Sequence, residues 1–256
     1  MANWCHAARE SATTMRSGRF FYNIKALILR YCKNPRRHGG HRMDLKTYLA
    51  EHFPNLTLEP PLFYNWDVAI RFELGNTLMF GMNTEHYMEQ VYHRSIELFK
   101  ALHDQADEVL LITQAYVGDK PKHKVKKLNL YRKYIKKKGP IKALSLEIFP
   151  GLDCEPDDIQ DPRNTMYRYW TKCRVEDLKY NQLIKAICNH DVGIKPKIYH
   201  RVYFINISKK TVFHIYDDRG CDVISAAREE LMDIYKEYND WILDYDRDRI
   251  NNVFLG

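Results

Sequence analysis

Residues 202–216 read Val202-Tyr203-Phe204-Ile205-Asn206-Ile207, then Ser208-Lys209-Lys210, then Thr211-Val212-Phe213-His214-Ile215-Tyr216. Two runs of β-branched and aromatic residues flank a short polar break, the pattern of two antiparallel strands joined by a tight hairpin. Asp217-Asp218-Arg219-Gly220 follows as a turn, where glycine supplies backbone geometry that other residues resist. From Ser225, an N-cap residue type, Leu231, Ile234, Tyr235, Tyr238, Trp241, Ile242 and Tyr245 recur every three or four positions and predict one long helix packed on the hairpin. A striped helix laid on a hairpin is the signature of an α+β domain with a mixed or antiparallel sheet.

Upstream, the same two periods recur. Asp67 to Leu74 predicts a strand in which Val68, Ile70, Phe72 and Leu74 alternate with Ala69, Arg71 and Glu73. Glu85 to His103 places Tyr87, Val91, Tyr92, Ile96, Phe99 and Leu102 at helical spacing, and Val109 to Tyr116 reads as a second strand. This strand-helix-strand order is compatible with one crossover unit. Met166 to Val175 predicts a strand with Tyr167, Tyr169, Thr171, Cys173 and Val175 on one side, and Asp177 to Asn189 a helix ended by Gly193 and Pro196. Leu152 to Pro162, with Asp153, Glu155, Asp157, Asp158 and Asp161, reads as an acidic surface loop.

Charge divides the chain unevenly. Of 40 Lys and Arg against 33 Asp and Glu, nine basic residues and one acid fall in residues 1–42, so the remaining 31 bases and 32 acids nearly cancel. Gly39-Gly40 can be encoded as the purine run a bacterial ribosome recognises, His41-Arg42 as its spacer and Met43 as the start, and Asp44-Leu45-Lys46-Thr47-Tyr48-Leu49 opens an amphipathic helix. Residues 1–42 are therefore read as a basic extension, not native or disordered, and residues 43–256 as a single α+β domain. On that reading the sequence pI near 8.9 is no argument for nucleic acid, which becomes a plausible partner only if the extension is native. The apolar patch Phe20 to Leu29 is broken by Asn23 and Lys25 and is too short to span a bilayer, so no membrane is expected. Six cysteines without CxxC or zinc spacing read as reduced thiols of a cytoplasmic protein. Lys120 to Lys138 holds ten basic residues and no acid, interleaved with Val125, Leu128, Leu130, Tyr131, Tyr134 and Ile135. Such a segment is a solvated helix face packed by its apolar side, or a cationic surface for phosphate or an acidic protein.

Several motifs in order carry a resemblance. They are Phe53-Pro54, Pro60-Pro61-Leu62-Phe63-Tyr64-Asn65-Trp66-Asp67 with Ile70-Arg71-Phe72-Glu73-Leu74-Gly75, Leu183 to Asn189, Gly193-Ile194-Lys195-Pro196, Val202 to Asn206, His214 to Asp222, and Tyr238-Asn239-Asp240-Trp241-Ile242-Leu243-Asp244-Tyr245. From about Met43 to the C-terminus the chain resembles an uncharacterised Bacillus-type bacterial family, the domain of unknown function numbered 3885. The resemblance implies a bacterial cytosolic protein and brings no known activity.

Candidate site residues cluster in two places. Asp217, Asp218 and Asp222 around Arg219 sit where a strand ends, a place suited to a divalent metal or, through Arg219, an anion. The same letters spell a tight turn with an Arg-Asp lock and an Asx bond. His214, with Cys221 near, allows a Cys-His nucleophile, while on a strand it reads as a half-exposed sheet residue. Trp66, Asp67, Arg71, Glu73 and Trp241 are candidates for a binding surface, or for core packing with buried polar locks. His190-Asp191 is a fragment of a metal phosphohydrolase signature, and Asp244, Asp246 and Asp248 open a calcium loop that Arg249 and Leu255 then break. No Walker loop, GxGxxG, HExxH or GxSxG occurs. The reading is a non-catalytic binding or interaction protein, immunity-like in taking a protein partner, with no cofactor and no metal. The alternative is a metal-dependent phosphohydrolase or nuclease-like enzyme built on Asp217, Asp218 and Asp222.

Overall fold

A computed structural model describes residues 44–76, 84–116, 127–150 and 165–256. In chain order these form α1 (Leu45–His52), β1 (Ala69–Glu73), α2 (Thr84–Leu102), β2 (Glu108–Tyr116), α3 (Lys127–Tyr134), α4 (Lys138–Lys142), β3 (Ser145–Pro150), β4 (Thr165–Arg174), α5 (Tyr180–Val192), β5 (Arg201–Asn206), β6 (Thr211–Ile215), β7 (Gly220–Ser225), α6 (Met232–Glu237) and α7 (Arg247–Phe254). The expectations for residues 1–42 and for the loop 152–162 lie outside the described residues, as does the part of the basic run before Lys127.

The seven strands form one sheet in the order β1-β7-β6-β5-β2-β4-β3, and every neighbouring pair is antiparallel. The fold is α+β. The hairpin at its centre pairs Phe204 with Phe213 and Asn206 with Thr211. The Asn206 side-chain oxygen accepts from Ser208 N at 3.0 Å and Lys209 N at 3.1 Å, closing the turn. Four antiparallel steps separate β1 from β2, so these strands run the same way with β7, β6 and β5 between them. The strand-helix-strand unit therefore exists, but α2 carries the chain across three strands.

The stripes on α2 and α5 explain one layer. Val91, Leu98, Phe99, Leu183 and Ile184 are buried, and Phe99 meets Phe204 and Phe213 at ring distances of 5.1 and 6.1 Å. The basic segment from Lys127 behaves as an amphipathic helix, with Tyr131, Tyr134 and Ile135 buried and Arg132 and Lys133 exposed. The second face of the sheet is covered by the N-terminal segment. Asp44 caps α1 by accepting from Thr47 N, Tyr48 reaches the Ile207 carbonyl at 3.4 Å, and Gln114 Nε2 donates to the Leu58 carbonyl at 2.9 Å.

The one long C-terminal helix is not formed. Ser225 ends β7, and its hydroxyl accepts from Ala227 N in a local turn. The chain then makes a 3-10 turn Arg228–Leu231, α6, 3-10 turns Asn239–Trp241 and Asp244–Asp246, and α7. The break has a physical cause at Ile242 and Leu243. Both are extended, Leu243 N donates to the Arg71 carbonyl at 3.0 Å and Ile242 bridges Phe72, so the segment leaves the helix to satisfy the outer edge of β1.

Candidate functional site

The Arg71, Asp222 and His214 positions lie in one cross-strand row, since β1 pairs Arg71 with Asp222 and β6 pairs His214 with Asp222. Arg71 Nε donates to Asp222 Oδ1 at 2.7 Å and Nη2 to Oδ2 at 3.0 Å, a bidentate pair in which the carboxylate is fully buried. Asp222 Oδ2 also accepts from Phe63 N at 3.2 Å. The guanidinium lies against the rings of Phe63, Tyr64 and Tyr216 at 5.2, 4.8 and 5.1 Å. Burial alone would lower the Arg71 pKa, but the hydrogen bonds and charge of Asp222 outweigh it and raise it. Tyr64 OH donates to Asp246 Oδ1 at 2.8 Å, and burial with that bond pushes the phenol up to about 12. Asp222 and Arg71 thus satisfy each other, while the buried Asp246 Oδ2, 3.9 Å from Arg71 Nη1, has no hydrogen-bond partner.

The remaining acids of the turn are taken by other partners. Asp217 accepts from Arg219 N at 2.8 Å and from its guanidinium, the Asx bond and Arg-Asp lock of a tight turn. Asp218 accepts from Tyr87 OH at 2.5 Å across the α2 side. Asp217, Asp218 and Asp222 are therefore bound to three different donors, and among the described residues no group of three His, Cys, Asp or Glu side chains is placed to hold a metal ion. His190 pairs with its neighbour Asp191 at 2.9 Å at the end of α5, and Asp244 pairs with Arg247.

His214 is not half-exposed. Only 1% of it is accessible, because the Leu58–Asn65 segment covers this face of the sheet. Its Nδ1 lies 2.8 Å from the Val202 carbonyl, its ring stacks on Tyr203 at 4.3 Å, and Nε2 has no hydrogen-bond partner. Since a carbonyl only accepts, Nδ1 carries the proton, and burial lowers the pKa to about 4. Cys221 is paired with Ile215 and Phe72 and, as the strand neighbour of Asp222, points to the opposite face, so the Cys-His pair is not assembled. Burial raises the thiol pKa of Cys173, Cys188 and Cys221.

The five binding candidates separate. Trp66 packs on Phe53 at 5.4 Å and donates to the Ser225 carbonyl at 2.6 Å, a structural anchor. Asp67 is exposed, with its carbonyl accepting from Ala69 N. Glu73 and Trp241 are brought together through Arg94, whose guanidinium donates to the Glu73 carbonyl at 2.9 Å and lies 5.4 Å over the Trp241 ring. Trp241 also meets His93 at 5.9 Å and Tyr238 at 4.8 Å. Beside it an open groove of about 290 Å³ is lined by Glu89, Tyr92, His93, Ile96, Glu97 and Lys185. Sequence reading used Tyr92 and Ile96 only as core positions of α2. The missed signal was Glu89, His93 and Glu97 at a spacing of four, a polar stripe alongside them.

The family model described as "Domain of unknown function (DUF3885)" matches residues 45–246. The chain belongs to this family. "Uncharacterized protein YnaE" of Bacillus subtilis (strain 168) is 32% identical over 214 residues, covering 79% of this chain and 99% of that protein. No solved structure matches. The DUF3885 match takes in every strand of the sheet, the Arg71–Asp222 pair and the groove with Trp241, whereas α7 lies beyond it. Among the described residues no helix is long and apolar enough to cross a membrane.

Proposed function

We propose that this DUF3885 protein is a binding protein without chemistry of its own, and that it takes a basic protein partner on the face made by the outer stripe of α2 and the Glu229–Asp248 segment. The observation that carries this reading is the groove beside Trp241, which Glu89 and Glu97 line together with Lys185, with Glu97 paired to Lys100 at 2.8 Å, and which continues through His93 and Tyr238 into an acid-rich segment. Residues 229–248 hold eight Asp or Glu and two Lys or Arg. Acidic rims around aromatic anchors suit association with a cationic surface, where charge sets encounter rate and specificity and the ring supplies buried area. An immunity-like role, occupying a basic partner, fits this chemistry. The pairing of Asp217, Asp218, Asp222 and Arg71 with internal donors and acceptors supports a structural task for the polar row.

Affinity capture from native cells, run in parallel with wild type and a Glu89→Lys/Glu97→Lys/Trp241→Ala variant, tests the proposal. The expected result is a reproducible basic protein that the folded variant loses and that raised salt weakens. Recovery of the same proteins by both forms would overturn it.

A further inference from the structure

The two ends of the sheet are finished differently. At β1 the outer edge is closed by Leu243 and Ile242. At β3, six residues pair with β4 from Ser145–Trp170 to Pro150–Thr165, and no described residue pairs with the other edge. An edge strand turns the N–H and C=O of alternate residues outward, and proteins usually blunt such an edge with charge, proline or a covering element. Here those devices are weak. Pro150 removes a donor only at the last position, and Glu147, the one charged side chain of β3, is neutralised by Lys46 at 2.6 Å and Arg168 at 3.1 Å. Leu146 is 40% exposed.

A cationic collar leads into this edge. Arg132, Lys133, Lys136, Lys137, Lys138 and Lys142 are exposed, and no acid occurs between residues 132 and 146. Lys137 is held by Asp177 at 2.8 Å and Lys136 by the Glu176 carbonyl at 2.5 Å, whereas Arg132, Lys133, Lys138 and Lys142 make no ion pair among the described residues. Pro140 of α4 accepts from Thr171 Oγ1 at 2.6 Å, which anchors to β4 the short helix that carries Lys138 and Lys142 and leads into β3.

We propose that the outer edge of β3 takes an extended acidic segment of another polypeptide as an added strand, with backbone hydrogen bonds supplied by β3 and charge recognition by Lys138, Lys142 and their neighbours. Strand addition of this kind draws affinity from the main chain and selectivity from flanking side chains. Two other occupants fit poorly. The acid-rich residues 229–248 of a second copy are wound into short helices and cannot pair as a strand, and a symmetric β3–β3 dimer would bring two lysine collars together.

The probe is a fluorescein-labelled decapeptide of alternating Glu with Val or Thr, compared with its Lys counterpart and with a Glu peptide N-methylated at alternate residues. Anisotropy with the full chain should show binding of the Glu peptide alone. N-methylation, or Lys138→Glu/Lys142→Glu in the protein, should weaken it by about tenfold or more. Hydrogen exchange should report new protection at residues 145–150. Equal binding of the N-methylated peptide would reduce the site to a charged surface and overturn strand addition. Equal binding of the Lys peptide, or of the charge-reversed protein, would overturn the recognition by the collar. A concentration-dependent dimer that sediments without peptide and protects 145–150 would give the edge to a second copy instead.

Discussion

Lowering the pH from 7 to 4.5 should unfold this domain through two histidines that it keeps neutral and dry. His103 and His214 are buried, each places Nδ1 2.8 Å from a carbonyl, of Phe99 and Val202, and each leaves Nε2 without a partner. Burial, the largest cause in both, lowers their pKa from 6.5 to about 4. The unfolded chain therefore binds protons that the folded chain refuses, so stability is fully present above 6.5 and is lost as pH falls toward 4. In that window each histidine contributes a slope of about 1.4 kcal/mol per pH unit, and the pair about 3. Summed over the window the loss is on the order of 5 kcal/mol, comparable with the whole stability of many domains. Urea unfolding followed by tryptophan fluorescence at several pH values measures it. Asn can place an amide N–H where Nδ1 stands, so His103→Asn/His214→Asn keeps the donor and removes the titration. Carboxylates and His200, whose pKa burial also lowers, titrate in both proteins and cancel in the difference. A variant whose unfolding free energy falls with pH as steeply as wild type would refute the reasoning.

Three further outcomes test the framework. Arg71→Met should cost about 3–5 kcal/mol by stranding the buried Asp222 carboxylate, while Arg71→Met/Asp222→Leu should recover part of it in denaturant unfolding, since it removes the unpaired charge but leaves Phe63 N without its acceptor. Gly220→Ala should destabilise by about 1–3 kcal/mol, since its Cβ would sit 2.8 Å from the Phe72 carbonyl and overlap the Tyr216 ring. Gly139→Ala, with nothing within 4 Å, should be neutral or stabilising by up to about 1 kcal/mol, and thermal melts distinguish the two.

What was legible in the sequence was local. The β5–β6 hairpin, the stripe on α2 and the Asp217–Arg219 lock each follow from residues within a few positions, where period and turn chemistry act directly. Two strands escaped. β7 opens with Gly220 and carries Asp222 in its middle, and β3 ends in Pro150, so neither has the apolar alternation of an isolated strand. Asp222 is tolerated inside β7 because Arg71 lies opposite it, 151 residues away in sequence. The C-terminal stripe really is apolar at helical spacing. It fails as one helix because the open edge of β1 competes for the Leu243 N–H and wins, a tertiary demand that no local pattern encodes.

The same distance explains why the polar row looked like a site. Read alone, an acid, an arginine and a histidine near a glycine turn have unused bonding capacity, and unused capacity is what a ligand requires. Folding consumes that capacity. Arg71 closes on Asp222, Asp217 on Arg219 and Asp218 on Tyr87, and the orphaned Nε2 of His214 is sealed under Leu58–Asn65. Charge that stays reachable lies at the two ends of the sheet, in Lys138 and Lys142 on the approach to β3 and in the acids and aromatics around Trp241. Opposite charges at opposite ends would let the domain hold two partners of opposite character at once, so binding one should leave the affinity for the other unchanged within about twofold unless the sheet between them moves. A titration of the acidic peptide against protein already saturated with its basic partner measures that coupling. A large coupling in either direction would show that the two ends are not independent and are linked through the sheet.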